Sequence, residues 1–146
     1  MTAHDMWQAF AALHPEAANA PYEAWAYGDA PDELAQLTLA GTKRATASIH
    51  MLYAMDGESV PQAGDYSVIL DSCGEAVCVI RNMQVRILPY RDVDGHQAFL
   101  EGESDRSLRY WREVHERFFR QELAEYNLEF ADDIAVVCEE FEVMYP

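Results

Sequence analysis

The chain has 146 residues, half of them apolar, and a formal net charge of −16 at pH 7. That length suits one domain, which buries roughly two-thirds of its unfolded surface and needs no disulfide or metal to fold. Ten basic residues against 26 acidic ones exclude a long nucleic-acid footprint, because phosphates are held by clustered Lys and Arg.

In chain order, Met6, Trp7, Phe10 and Leu13 recur at helical spacing and predict a helix over residues 5–13, ended by His14-Pro15. Residues 22–28 are aromatic and read as an irregular packed segment. Asp29-Ala30-Pro31-Asp32-Glu33 is a helix start. Asp29 or Ala30 caps it, Pro31 sits where a missing N–H costs nothing, and the carboxylates suit the positive end of the dipole. Leu34, Leu37 and Leu39 form the expected buried stripe, and Gly41 stands where a left-handed residue ends a helix. A strand is predicted over 45–51, with turns at Asp56-Gly57-Glu58 and Pro61-Gln62-Ala63-Gly64-Asp65. Residues 66–70 and 76–80 read as a hairpin, followed by a separate strand over 83–88 and a short helix over 96–100. A longer helix is expected over 104–124, capped by Ser104 or Asp105, with Leu108, Trp111, Val114, Phe118 and Leu123 on one face. Residues 134–144 form the last strand, its alternation broken by Glu139-Glu140. Helices, a run of strands, a long helix and a final strand make an α+β fold around a small curled sheet or partial barrel.

The cysteines Cys73, Cys78 and Cys138 are odd in number and form no C-x-x-C pair. With no basic segment and apolar stretch after Met1, they point to reduced thiols in the cytoplasm. No apolar run reaches the length of a membrane span. No phosphate loop, G-x-G-x-x-G or G-x-S-x-G occurs, and His4, His14, His50, His96 and His115 show no metal spacing, so neither cofactor nor metal is expected. The basic residues cluster, with Lys43 beside Arg44 and Arg106, Arg109, Arg112, Arg117 and Arg120 in one stretch. They form either a local positive pocket or ion pairs with Glu103, Asp105, Glu113, Glu116 and Glu122 along a helix.

The informative pattern is Gly41-x-Lys43-x-x-Thr46, beyond a helix end and entering a strand. A lysine there can serve as acid or base if partly desolvated, and a neighbouring hydroxyl can act as nucleophile. Against this stands a solvated lysine beside an ordinary strand threonine. Glu101-Gly102-Glu103-Ser104-Asp105 reads first as capping chemistry, although Glu101 follows Ala98-Phe99-Leu100, which pack inward.

These segments, with Trp25-Ala26-Tyr27-Gly28-Asp29, Pro61-Gln62-Ala63-Gly64-Asp65-Tyr66, Tyr110-Trp111-Arg112 and Glu139-Glu140-Phe141-Glu142-Val143, resemble in order the ASCH domain family. The resemblance runs from about Trp25 to the C-terminus. It implies a PUA-like small curled β-barrel flanked by helices over residues 25–146, with residues 1–24 as a helical extension packed on it. Some ASCH proteins are amidohydrolases of N4-acetylcytidine with a Lys, Thr and Glu catalytic set, which maps onto Lys43, Thr46 and Glu101, with Glu103 as the alternative to Glu101. Others are metal-dependent ribonucleases or single-stranded RNA-binding modules, which are the competing expectation. The resemblance makes Trp25, Tyr27, Arg44, Glu103 and Arg112 candidate substrate-binding residues. It implies a small nucleoside or short single-stranded RNA as ligand, with no DNA and no membrane partner; a homodimer is compatible with such a domain. Two divisions of labour follow. In one, burial beside Arg44 lowers the Lys43 pKa so that it is the base, and Glu101 is an acid with a raised pKa. In the other, Glu101 pairs with Lys43, which stabilises an oxyanion while Glu101 is the base.

Overall fold

The computed structural model describes all residues, Met1–Pro146. Helix α1 (Ala3–Leu13) opens with a reciprocal capping box, in which Thr2 accepts from the Asp5 N–H and Asp5 accepts from the Thr2 N–H. Its face of Met6, Trp7 and Phe10 packs with Ala17, Val68 and Val79 against the sheet. The aromatic segment expected to be irregular is instead a strand, β1 (Tyr22–Ala26), pairing parallel with β3 (Tyr66–Leu70). Backbone pairing to a neighbour distant in sequence supplies what its short, Gly-ended pattern did not reveal.

Helix α2 (Pro31–Leu39) starts at Pro31 with Ala30 as cap, and Gly41 beyond it adopts φ +80°. Its buried residues are Leu34, Ala35 and Thr38, whereas Leu39 is exposed. Strand β2 (Ala45–Ile49) passes directly into a helix, α3 (His50–Met55), whose first two residues fall in the expected strand. The run Ile49-His50-Met51 lacks a capping side chain, so nothing local marks the change. Strand β4 (Ala76–Pro89) is one 14-residue strand where two were expected. The register shifts around Met83 that separate Asn82 from Gln84 mark a bulge inside it. Such irregularities bend a strand and re-aim its side chains.

Helix α4 spans Gly95–Glu101 and helix α5 spans Leu108–Ala124. Helix α5 is capped by Ser107, not by Ser104 or Asp105, because Ser104 and Arg106 sit at φ +52° and +64°, outside helical space. Its buried stripe is Trp111, His115, Phe119 and Leu123, one residue round from the expected face. Val114 and Phe118 are half-buried instead.

Strand β5 (Ala135–Tyr145) completes a five-stranded sheet of order β1-β3-β4-β5-β2, antiparallel except at β1/β3. The sheet curls into a half-barrel flanked by helices, the α+β architecture expected. One core cluster lies under α3 and α5, a second around Tyr27, Leu34, Ile69, Ile80 and Phe141, and the third under α1. No helix is long and apolar enough to cross a membrane. Because Phe10 is fully buried, Phe10→Ala should cost about 3–5 kcal/mol in a denaturant titration. An unchanged midpoint would mean that α1 is not part of the cooperative unit.

Candidate functional site

The two halves of the site meet through a glycine. Helix α4 ends at Gly102, whose φ of +75° reverses the chain. A Cβ there would lie 2.6 Å from the Thr42 carbonyl oxygen, so only glycine lets the Glu101–Glu103 turn rest on the Thr42–Lys43 peptide. The Arg44 N–H donates to the Leu100 carbonyl at 2.7 Å, and the Thr42 and Lys43 N–H groups both donate to the Leu37 carbonyl at 3.0 Å. The end of α2 and the end of α4 together hold the segment that delivers Lys43 inward.

Lys43 is the only lysine in the chain, and it is 1% exposed. Its Nζ donates to Glu101 Oε1 and to the Glu101 carbonyl at 3.4 Å each, and lies 3.5 Å from Glu103 Oε2. The Tyr27 ring centroid is 5.2 Å away. Glu101 is fully enclosed: Trp111 Nε1 donates to Oε2 at 2.5 Å, Gln97 Nε2 donates to Oε2 at 3.1 Å, and His115 Nε2 meets Oε1 at 3.1 Å. The His115 ring stacks on Trp111 at 4.1 Å, and its Nδ1 donates to the Trp111 carbonyl at 2.9 Å. A carbonyl and a carboxylate can only accept, so a ring that donates to both is an imidazolium.

The titration behaviour follows. Burial opposes the charge of Glu101, but His115, Lys43 and hydrogen bonds from His115 and Trp111 outweigh it and hold the carboxyl at about 2. Burial likewise opposes the His115 cation, and the adjacent Glu101 outweighs it, so the imidazole sits above its usual value. Burial raises Glu103, helped by Glu101 and opposed by Lys43. The geometry therefore corrects one division of labour. Glu101 is an ion-paired carboxylate, not an acid of raised pKa, and Arg44 is exposed whereas Lys43 is buried.

Thr46 stands at the junction of two spaces. A narrow recess of about 70 Å³ contains Lys43, Glu101, Glu103 and His115. A wide cleft of about 920 Å³ runs past Trp25, Ser48, Asn82 and Glu139. Tyr27, Gly28, Thr46, Ala47 and Phe118 line both. Gln97 joins the parts by donating to the Thr46 carbonyl at 3.3 Å as well as to Glu101. The Thr46 hydroxyl makes no hydrogen bond of its own. Trp25 is half-buried and packs edge-on against Tyr27 at 5.1 Å, and the Tyr27 hydroxyl is tied to Thr38 Oγ1 at 2.8 Å.

Arg112 does not reach this space. Its guanidinium donates to the carbonyls of Tyr90, Arg91 and Val93, pinning the turn before α4. Of the remaining clustered arginines, Arg109 and Arg120 make helical ion pairs with Glu113 and Glu116, and Arg106 lies 3.7 Å over the Phe99 ring. Glu101, Glu103 and His115 bring ligand-type atoms within 4.8 Å of one another. They do not fit a metal, because the Lys43 amine already lies against both carboxylates and both His115 nitrogens donate. Gln97, His115, Asn82 and Glu139 are not among the site residues expected from the sequence. A signal for the site does exist in the sequence: Lys43 is the single lysine of a chain that otherwise uses arginine.

The family model described as the ASCH domain matches residues 23–145. The solved ASCH domain from Lactobacillus crispatus JV V101 is 30% identical with a TM-score of 0.91, covering 98% of this chain and 94% of its own. A protein from Enterococcus faecalis V583 is 38% identical with a TM-score of 0.86, covering 96% of this chain and 86% of its own. A hypothetical protein at 15% identity and a TM-score of 0.55 shares the fold alone. None of the curated proteins matches the chain.

The Glu101–His115 pair carries a pH signature. The Glu101 contribution is present above its usual value of 4.5 and is lost as pH falls toward about 2. The His115 contribution is present below its usual value of 6.5 and is lost as pH rises through its raised folded value. The stability lost in His115→Phe should therefore be largest between pH 4.5 and 6.5 and shrink on either side. A loss that is constant from pH 3 to 9 in urea titrations would contradict the ion pair.

Proposed function

The chain belongs to the ASCH domain family, and on that premise we propose that it is a hydrolase of a small modified nucleoside, cleaving the amide of an N4-acylated cytidine. The observation that carries the reading is a buried, doubly paired Lys43 amine opening past Thr46 into an acidic cleft. Glu23, Glu58, Asp65, Glu122 and Glu139 line that cleft, with no lysine, arginine or histidine among its residues. Such a surface repels phosphates and admits a neutral nucleoside. The charge therefore favours a nucleoside over the RNA strand of the competing reading, which needs a basic groove.

In the proposed chemistry, Thr46 Oγ attacks the acyl carbon. The Lys43 ammonium, held by Glu101, stabilises the developing oxyanion. Glu103, the carboxyl of raised pKa in the recess, takes the Thr46 proton, a role for which Glu101 is too weakly basic. Trp25 and Tyr27 flank the base. Arg44 and Arg112 take no part.

Liquid chromatography of acylated nucleosides after incubation with the protein should show released acid. Lys43→Met, Thr46→Val and Glu101→Gln should each lower kcat at least about 100-fold with folding intact. Wild-type turnover in Lys43→Met would refute the reading. Tight, salt-sensitive binding of a single-stranded oligonucleotide in a gel shift would favour the RNA reading instead.

A further inference from the structure

Glu139 stands directly across the β2/β5 ladder from Thr46 as its Cα partner. Such partners project onto one face with Cβ atoms about 5 Å apart. Here that face borders the wide cleft, which Thr46, Glu139 and Asn82 all line. Glu139 is only 8% exposed, yet no cation pairs with it. Its one hydrogen bond comes from Asn82 Nδ2, at 2.9 Å to Oε1. Asn82 Nδ2 also donates to the Gln62 carbonyl at 3.4 Å. Glu139 Oε2 and Asn82 Oδ1 have no protein partner. The only side-chain polar atom buried without one anywhere in the protein is Arg81 Nε, so these two atoms keep contact with solvent, and both residues line the cleft. The contrast with Glu101 is the informative point. A structural buried carboxylate is enclosed and paired, whereas Glu139 offers a free oxygen beside the candidate nucleophile.

We propose that Glu139 and Asn82 form the subsite for the ring edge of a cytosine-type base, with Glu139 in its acid form donating to ring N3 and accepting from N4–H. The proposal deepens the acylcytidine reading and rests on it for the chemical step. Asn82 donates to Oε1, which leaves Oε2 to carry the proton. Burial pushes the Glu139 carboxyl up to about 7, against the Asn82 hydrogen bond and with the help of Asp65, Glu23 and Glu101. The other titratable groups facing the cleft are Tyr22, Tyr27, Tyr53, Tyr66, Glu58 and Glu122, none of them a cation.

This placement gives the departing ring its proton. As the tetrahedral adduct on Thr46 collapses, the acyl carbon–N4 bond breaks and its electron pair moves into the N4–C4–N3 system. N3 takes the Glu139 proton, and the cytosine leaves as a neutral imino tautomer, which rearranges to the amine. Water then adds to the acyl carbon and the Thr46 Oγ–acyl bond breaks. Of the three protons on Glu103 and that water, one returns to Thr46, one reloads Glu139, and one leaves with the ionised acid.

Glu139→Gln separates recognition from proton transfer, because a carboxamide can donate to N3 and accept from N4–H but cannot release a proton. In calorimetry, cytidine should bind the wild type about tenfold more weakly at pH 8 than at pH 6, as a carboxyl titrating at about 7 ionises. Glu139→Gln should bind cytidine equally at both pH values, and Asn82→Ala should bind it more weakly than wild type at pH 6. With N4-acetylcytidine, Glu139→Gln should keep KM within about threefold and lose at least about 100-fold in kcat. Circular dichroism checks that each variant folds. Absent or pH-independent cytidine binding by the wild type, or wild-type kcat in Glu139→Gln, overturns the subsite even if acylated cytidine is hydrolysed. The predicted binding pattern without hydrolysis of any acylated nucleoside upholds the subsite and removes the hydrolase reading.

Discussion

An ammonium group taken out of water costs several kcal/mol unless its partners are already in position. The chain's single lysine is placed under that constraint, and much of the local architecture answers it. The αL glycine that ends α4, the close contact of that glycine with the Thr42 carbonyl, and the backbone bonds from α2 all bring Glu101 and Glu103 to the Lys43 amine. Glu101 needs support of its own, and Gln97, Trp111 and His115 supply it from two helices. Breaking one member leaves another buried charge uncompensated, so the network acts as a unit.

The protein holds two nearly inaccessible carboxyl side chains in opposite electrostatic settings. Glu101 is surrounded by donors and cations and stays ionised, whereas Glu139 has one amide neighbour and an acidic cleft around it. Environments that push two carboxyl groups apart are how one site provides both a fixed anion and a transferable proton. Thr46 lies between them, lining the recess that holds Glu101 and pairing across the ladder with Glu139.

Much of the fold was legible where the signals were local. Pro31 and Gly41 bracket α2, the turn around Gly74 marks the β3–β4 hairpin, and the aromatic spacing of residues 6–13 marks α1. The failures were non-local. Strand β1 is defined by its partner β3, α3 by the layer it covers, and the single β4 by β5 running alongside a bulge. The site followed the same division. Lys43 and Thr46 were visible as a short pattern, and the choice of Glu101 came through the family resemblance. His115 lies 14 positions from Glu101, and Asn82 lies 57 from Glu139, separations at which only the fold brings side chains together.

The central claim is that Lys43 is an enclosed ammonium that faces the proposed nucleoside site. Because it is the only lysine, its side-chain nitrogen gives one assignable ¹⁵N NMR signal. The account predicts an ammonium resonance protected from solvent exchange, shifted on addition of N4-acetylcytidine and unmoved by the corresponding 5′-monophosphate at the same concentration. A rapidly exchanging signal like that of a solvated lysine, indifferent to the nucleoside, would contradict it.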